Sequence, residues 1–168
     1  MIIMDEDDCM VSIAKYYLKF SEGESCGRCT PCRIGTRRIS ELLNMITDGR
    51  GKMEHIEELK RLPYTMKDTA LCALGQSAPN PVLSTMENFW DEYVAHVVDK
   101  RCPTGTCRKM TRYQIDPTRC TGCSLCSRNC PVDAISGVLR SPFTIDQSKC
   151  IKCGTCMDKC NFGAISIG

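Results

Sequence analysis

Eight cysteines near the carboxyl end fall into two copies of one spacing: CTGCSLCSRNCP from Cys120 and CIKCGTCMDKCN from Cys150. Each copy is C-x2-C-x2-C-x3-C. Three thiolates this close suit three corners of a [4Fe–4S] cube, and in two-cluster proteins with this run the fourth ligates the cube of the other half. By that crossing, Cys120, Cys123, Cys126 and Cys160 hold one cluster, and Cys150, Cys153, Cys156 and Cys130 hold another. Asn161 stands where the first copy has Pro131, which alters a turn and removes no ligand. A pair of zinc knuckles is the alternative. It fits less well, because zinc closes with four ligands and has no need of an interleaved eight.

A second constellation lies upstream, where SCGRCTPCR supplies Cys26, Cys29 and Cys32, and Cys72 follows alone. An amphipathic pattern opens at Thr30-Pro31 and runs through Ile34, Ile39, Leu42, Leu43 and Ile46 to Gly49, with proline suited to a first helical turn. The amino end of that helix, with its free amides and dipole, faces the triplet and favours an anionic sulfur cage. Three cysteines on zinc with an unrelated Cys72 is the other reading of this set.

Twelve cysteines are then assigned, leaving Cys9, Cys102 and Cys107. Cys102 and Cys107 form C-x4-C around Pro103 and Gly105, a turn suited to zinc, and His96 lies six residues before Cys102. Three thiolates and one imidazole make a closed tetrahedral site, structural and not catalytic. The expected set is Cys9, His96, Cys102 and Cys107 on one zinc at the root of a linker. Three core thiols and a solvent-facing histidine are the alternative.

Composition narrows the classes. Cysteine supplies 15 of 168 residues, so the choice is a disulfide scaffold or a metal protein. Met1 is followed by Ile2, Ile3 and the acidic run DEDD, unlike a secretory leader, and no apolar run is long enough to span a bilayer. A reducing, cytoplasmic setting is expected, where thiolate–metal sites prevail over disulfides. Lys and Arg number 22 against 20 Asp and Glu, and aromatics are 6%, which offers neither a basic field nor a stacking surface for nucleic acid. No glycine-rich phosphate loop of the Rossmann or P-loop kind occurs. No nucleophile, general acid or general base presents itself.

The elements that position these residues follow from pattern. Tyr113 to Ser136 and Phe143 to Ser166 repeat at a constant offset of thirty, with Asp116 over Asp146 and Ala134-Ile135-Ser136 over Ala164-Ile165-Ser166. Each half reads as strand, turn, cysteine loop, short helix and second strand. The fold class is α+β: a small helical bundle carrying one cluster over residues 1–97, a linker with a zinc-binding turn over 98–111, and a two-cluster unit over 112–168. Met10, Val11, Ile13, Ala14, Tyr17, Leu18 and Phe20 form one apolar helical face. Val82, Met86, Phe89, Trp90, Tyr93, Val94 and Val97 form another, on one long helix. A helix from Met53 to Arg61 is expected to break at Pro63, with a further helix from Tyr64 bringing Cys72 back to the triplet. Arg33, Arg37 and Arg38 either raise the potential of the first cluster or form a solvated face. The joint suggests a tether on which the two-cluster unit moves between partners.

ESCGRCTPCRIGT with TALCALGQSAPNPV downstream resembles the C-terminal region of the flavin-bearing, NADH-oxidising subunit of respiratory complex I and related soluble dehydrogenases. The appended bacterial 2[4Fe–4S] ferredoxin-like domain, with MDEDDCMV and KRCPTGTC, resembles more closely the beta subunit of electron-bifurcating or NAD(P)-linked [FeFe]-hydrogenases, or its counterpart in some formate dehydrogenases. The resemblance covers nearly the whole chain. It implies that Cys26, Cys29, Cys32 and Cys72 carry a [4Fe–4S] cluster next to FMN, relaying electrons between flavin and partner subunits. The implied partners are a 2Fe-2S thioredoxin-like subunit, a catalytic iron–sulfur subunit and soluble ferredoxin. The family's FMN and NAD(H) domain lies upstream of the region matched here, so these residues are expected to carry electrons without oxidising NADH.

Overall fold

The computed structural model describes residues 4–167. Met1, Ile2 and Ile3, on which part of the leader argument rests, lie outside them. The chain divides into two compact units, Met1–Met110 and Thr111–Gly168.

The first unit is helical. Helix α1 spans Met10–Gly23 and is capped by Cys9, whose sulfur accepts from the Ser12 amide at 3.4 Å. Helix α2, Thr30–Thr47, starts with Pro31 in its first turn and closes over Gly49 at φ 80°. Its stripe of Ile39, Leu42, Leu43 and Ile46 is fully buried with Leu18, Ile56, Leu59 and Val82. Truncating any one of these leucines or isoleucines to alanine costs about 2–5 kcal/mol.

Two expectations about helices are corrected. Helix α3 runs unbroken from Met53 to Thr69 through Pro63, whose buried ring packs inward while only the bond back to the Leu59 carbonyl is forgone. After α4 (Ala73–Ser77) and α5 (Asn80–Asn88), the chain breaks at Phe89, φ −132° and ψ 42°, before α6 (Trp90–Val94). A π-helical turn follows at Ala95–Asp99 and ends at Lys100 in the left-handed region. The expected single helix from Val82 is therefore three pieces. The break lets Thr85 Oγ1 and the buried Tyr93 hydroxyl meet at 2.8 Å. Phe20, Ile34 and Phe89, assigned to apolar faces, are exposed.

The linker expected over 98–111 belongs, up to Met110, to this first unit. The Lys100 ammonium donates to the Gly51 carbonyl. Thr106 donates to the Asp7 carbonyl at 2.9 Å, and Lys109 pairs with Asp48 at 2.7 Å. Burial opposes charge on Asp48, yet Lys109 and Arg50 outweigh it and hold the carboxyl below its usual range.

The second unit interleaves its halves. Strand β1 (Tyr113–Ile115) pairs antiparallel with β4 (Ile165–Ile167), and β2 (Ile135–Ser136) with β3 (Thr144–Ile145), so each sheet takes one strand from each half. The short helices α7 (Leu125–Arg128) and α8 (Thr155–Asp158) follow the cysteine loops. The repeat extends to individual bonds: Asp116 N donates to the Ala164 carbonyl and Asp146 N to the Ala134 carbonyl, both at 2.7 Å. Tyr113, Cys126, Ile135, Phe143 and Ile165 make a core that is small for a unit of this size, as expected where bound metal supplies part of the stability.

Candidate metal and cluster sites

In the first unit, α2 presents Cys29 at its cap and the buried Cys32 in its first turn. Cys72 caps α4. Gly75 on α4 lies so close to Cys32 that a β-carbon there would sit 3.1 Å from the Cys32 β-carbon, which brings the Cys72 end of α4 against the triplet. The main chain of Leu71 hydrogen-bonds the Cys29 sulfur, lowering its pKa, as does the main chain at Cys32. Ser25 Oγ lies 3.3 Å from the Cys32 sulfur, a contact the sequence did not signal. Cys26 and Cys72 are exposed.

The arginines beside this set divide. Arg33 donates to the Gly27 carbonyl within the cysteine loop at 3.1 Å. Arg38 forks onto Glu58 at 2.7 and 2.8 Å, and Arg37 pairs with Glu41 at 3.6 Å, so these two belong to the outer ion pairs of α2 and α3.

In the second unit, two cavities show how the thiols are grouped. One is lined by Cys120, Cys123, Cys126 and Cys160 with Ile115, Phe143 and Phe162. The other is lined by Cys150, Cys153, Cys156 and Cys130 with Tyr113, Ile135 and Ile145. Each cavity takes three cysteines from one half and the fourth from the other. The fourth ligands are held alike: Ala134 N donates to Cys130 Sγ and Ala164 N to Cys160 Sγ, both at 3.3 Å. Burial, with the Cys150 and Cys153 sulfurs nearby, pushes the Cys156 thiol up to about 11, and burial raises Cys126 too. A thiol that resists ionising alone is a good ligand only where a cation offsets its charge. Residues with no signal of their own in the sequence reading also line these cavities, among them Leu125 and Thr155.

Cys9, His96, Cys102 and Cys107 are all buried, and their ligand atoms lie within 4.8 Å of one another. The Cys9 and Cys107 sulfurs are 3.7 Å apart, and His96 Nε2 is 3.4 Å from each. A tetrahedral zinc with ordinary bond lengths sets sulfurs about 3.8 Å apart and sulfur to nitrogen about 3.5 Å. His96 Nδ1 lies 2.7 Å from the Glu92 carbonyl, which accepts only, so Nδ1 carries a proton and Nε2 is the ring atom that faces the sulfurs. Burial opposes a charge on His96, and the Cys102 and Cys9 sulfurs outweigh it, raising its pKa to about 10. Hydrogen bonds from Cys107 and Cys9 pull Cys102 far down, while Cys107, packed on Cys102 and Cys9, is pushed up. Thiolates this close and this buried repel one another unless a cation sits among them. No disulfide joins any two of the fifteen cysteines.

The helical cysteine unit and the interleaved repeat behind it define an iron–sulfur binding region followed by a ferredoxin-like module. Comparison with known proteins agrees. Residues 12–96 match the model for the NADH-ubiquinone oxidoreductase-F iron-sulfur binding region, and residues 113–136 and 143–166 each match the 4Fe-4S binding domain. The chain thus belongs to the family of the NADH-ubiquinone oxidoreductase F iron–sulfur binding region, with 4Fe-4S binding repeats appended. It is 56% identical over 142 residues to the NADP-reducing hydrogenase subunit HndC of Solidesulfovibrio fructosivorans, covering 84% of this chain and 29% of that protein. It is 34% identical over 89 residues to the beta subunit of an NADP(+)-dependent formate dehydrogenase of Moorella thermoacetica, covering 53% of this chain and 13% of that one. A crystal structure of an NAD+-reducing [NiFe]-hydrogenase in the H2-reduced state aligns with a TM-score of 0.54 at 32% identity, over 56% of this chain and 16% of that one. The chain spans less than a third of the length of these relatives. Among the described residues no helix is long and apolar enough to cross a membrane.

Proposed function

We propose that this chain is the electron-relay segment of a multisubunit NAD(P)H-linked oxidoreductase of the hydrogenase kind, with electron bifurcation among the activities of the whole assembly. The observation that carries the reading is the pair of cavities in the second unit, each lined by three close cysteines from one half and a fourth from the other. Each bound [4Fe–4S] cluster supplies one-electron chemistry at a potential tuned by hydrogen bonds, burial and nearby charge. The chain's own part is to hold three such groups: Cys26, Cys29, Cys32 and Cys72 form the first cage, Cys120, Cys123, Cys126 and Cys160 the second, and Cys150, Cys153, Cys156 and Cys130 the third.

Zinc is the metal we assign to Cys9, His96, Cys102 and Cys107. Four protein ligands leave no open position, so its role is structural. Bound there, it would join the cap of α1, the π-helical turn and the 102–107 loop and so hold the chain up to Met110 in the first unit. Flavin and NAD(H) belong to a domain outside these residues. The partners are further subunits, including a 2Fe-2S thioredoxin-like one and a catalytic iron–sulfur one, with soluble ferredoxin as an external exchange partner. A second reading is the equivalent subunit of an NAD-dependent formate dehydrogenase, supported in its formate dehydrogenase part by the Moorella relative, itself NADP(+)-dependent. Hydrogen-dependent against formate-dependent reduction of the chain by its co-purified assembly separates the two.

The test of the relay is reduction of the reconstituted chain alone. Dithionite should bleach its iron–sulfur absorbance, whereas NADH should neither bleach it nor support dye reduction. NADH-dependent dye reduction by these 168 residues would overturn the reading.

A further inference from the structure

The thirty-residue repeat makes the second unit its own control, because each difference between paired positions is a difference between its two cages. Thr155 pairs with Leu125. Thr155 lines the third cage and its Oγ1 lies 3.4 Å from Cys153 Sγ, while Leu125 lines the second cage and carries no side-chain donor. The second cage has the hydroxyls of Thr121 and Ser124 where the third has Ile151 and Gly154, but of these hydroxyls it is Thr155 that contacts a ligand sulfur among the described residues. A thiolate on iron has no proton, so the hydroxyl is the donor in that contact. Reduction adds one electron, here from dithionite, and one unit of negative charge to a cage, with no bond made or broken. A hydrogen bond to a ligand sulfur stabilises that added charge. Side-chain charges run the other way, since Lys159 lines the second cage and Asp158 acts on Cys153. Both are exposed and act across water, whereas the half-buried Thr155 touches the sulfur of the exposed Cys153 directly.

We propose that Thr155 sets the potential of the third cage above that of the second, so that the first electron to enter this unit rests on the cluster held by Cys150, Cys153, Cys156 and Cys130. The inference rests on the ligand sets given under the proposed function. Potentiometric titration of the full reconstituted chain, followed by electron paramagnetic resonance, tests it with Thr155→Val, Thr155→Ser and Leu125→Thr. Thr155→Val should weaken one cluster's hold on its electron by about tenfold, a fall of about 59 mV, in the signal that Cys153→Ser removes. Thr155→Ser should restore the potential, and Leu125→Thr should raise that of the second cage. Iron content separates two kinds of failure. Wild-type protein short of about twelve irons overturns the ligand sets. Full iron with no shift in Thr155→Val, or a shift in the wrong cage, overturns the role of Thr155. If Thr155→Val loses iron, an unmoved second cage in Leu125→Thr decides against the proposal.

Discussion

Replacing Gly75 by alanine tests how the fourth thiolate of the first cage is held. The new methyl would sit 2.6 Å from the Ala70 β-carbon, 3.1 Å from the Cys32 β-carbon and 3.5 Å from its sulfur. Carbon atoms prefer about 3.5–4.0 Å, so the first contact overlaps by about 1 Å. Neither neighbour can swing aside: one is a β-carbon fixed to its backbone, the other belongs to a ligand in the first turn of α2. Helix α4 must therefore shift and carry Cys72 at its cap with it, by more than the roughly 0.2 Å that metal–ligand distances tolerate. We expect overpacking to cost about 1–3 kcal/mol and iron to fall by about four per chain. Signals of the second and third cages should stay. Gly23→Ala is the control, since its added methyl meets nothing within 4 Å. Iron quantification and thermal unfolding of both variants give the answer. A Gly75→Ala protein with full iron and unchanged stability would refute the packing argument and the placement of Cys72.

Three further outcomes follow from the same geometry. Cys160→Ser should abolish the cluster of Cys120, Cys123 and Cys126 and spare that of Cys150, Cys153 and Cys156; electron paramagnetic resonance showing the reverse would refute the crossing. Cys102→Ser should release about one zinc per chain and leave the cluster spectra unchanged, as read by metal analysis and spectroscopy on one sample. The Arg38 hydrogen bonds, against the opposing effect of burial, hold Glu58 below its ordinary 4.5, so this carboxylate stabilises the fold above that pH and ceases to as pH falls through its lowered value. Glu58→Gln should thus cost about 0.5–1 kcal/mol near neutrality, the pair being partly exposed, with the gap to wild type closing under acid in urea unfolding.

The grouping of the cysteines was legible because the spacing that sets it is short-range. Spacing alone groups Cys120, Cys123 and Cys126, and the repeat points to Cys130 and Cys160 as the crossing pair, which the shared sheets make physical. That Cys9, His96, Cys102 and Cys107 meet was legible by subtraction: three cysteines were left over, and few histidines were available to join them. What spacing could not show is how packing overrides local preference. Pro63 reads as a helix breaker, yet a buried ring on a long helix outweighs one missing bond. Val82 to Val97 reads as one stripe, yet the chain turns at Phe89 so that Tyr93 can reach Thr85. The charged stretch after Val97 reads as a linker, yet Lys100, Thr106, Lys109 and the buried Met110 fasten it to the helical unit. Thr155 carried no signal in the sequence, and the distance to Cys153 is what gives its place opposite Leu125 in the repeat a meaning.

The division proposed for the fifteen cysteines and His96 is three cubes and one zinc. Quantifying iron, acid-labile sulfide and zinc together, in anaerobically reconstituted protein, tests it most directly. The account predicts about twelve irons, about twelve sulfides and about one zinc per chain. Fewer than about eight irons after full reconstitution, or zinc in place of iron at the ferredoxin-like repeats, would contradict it.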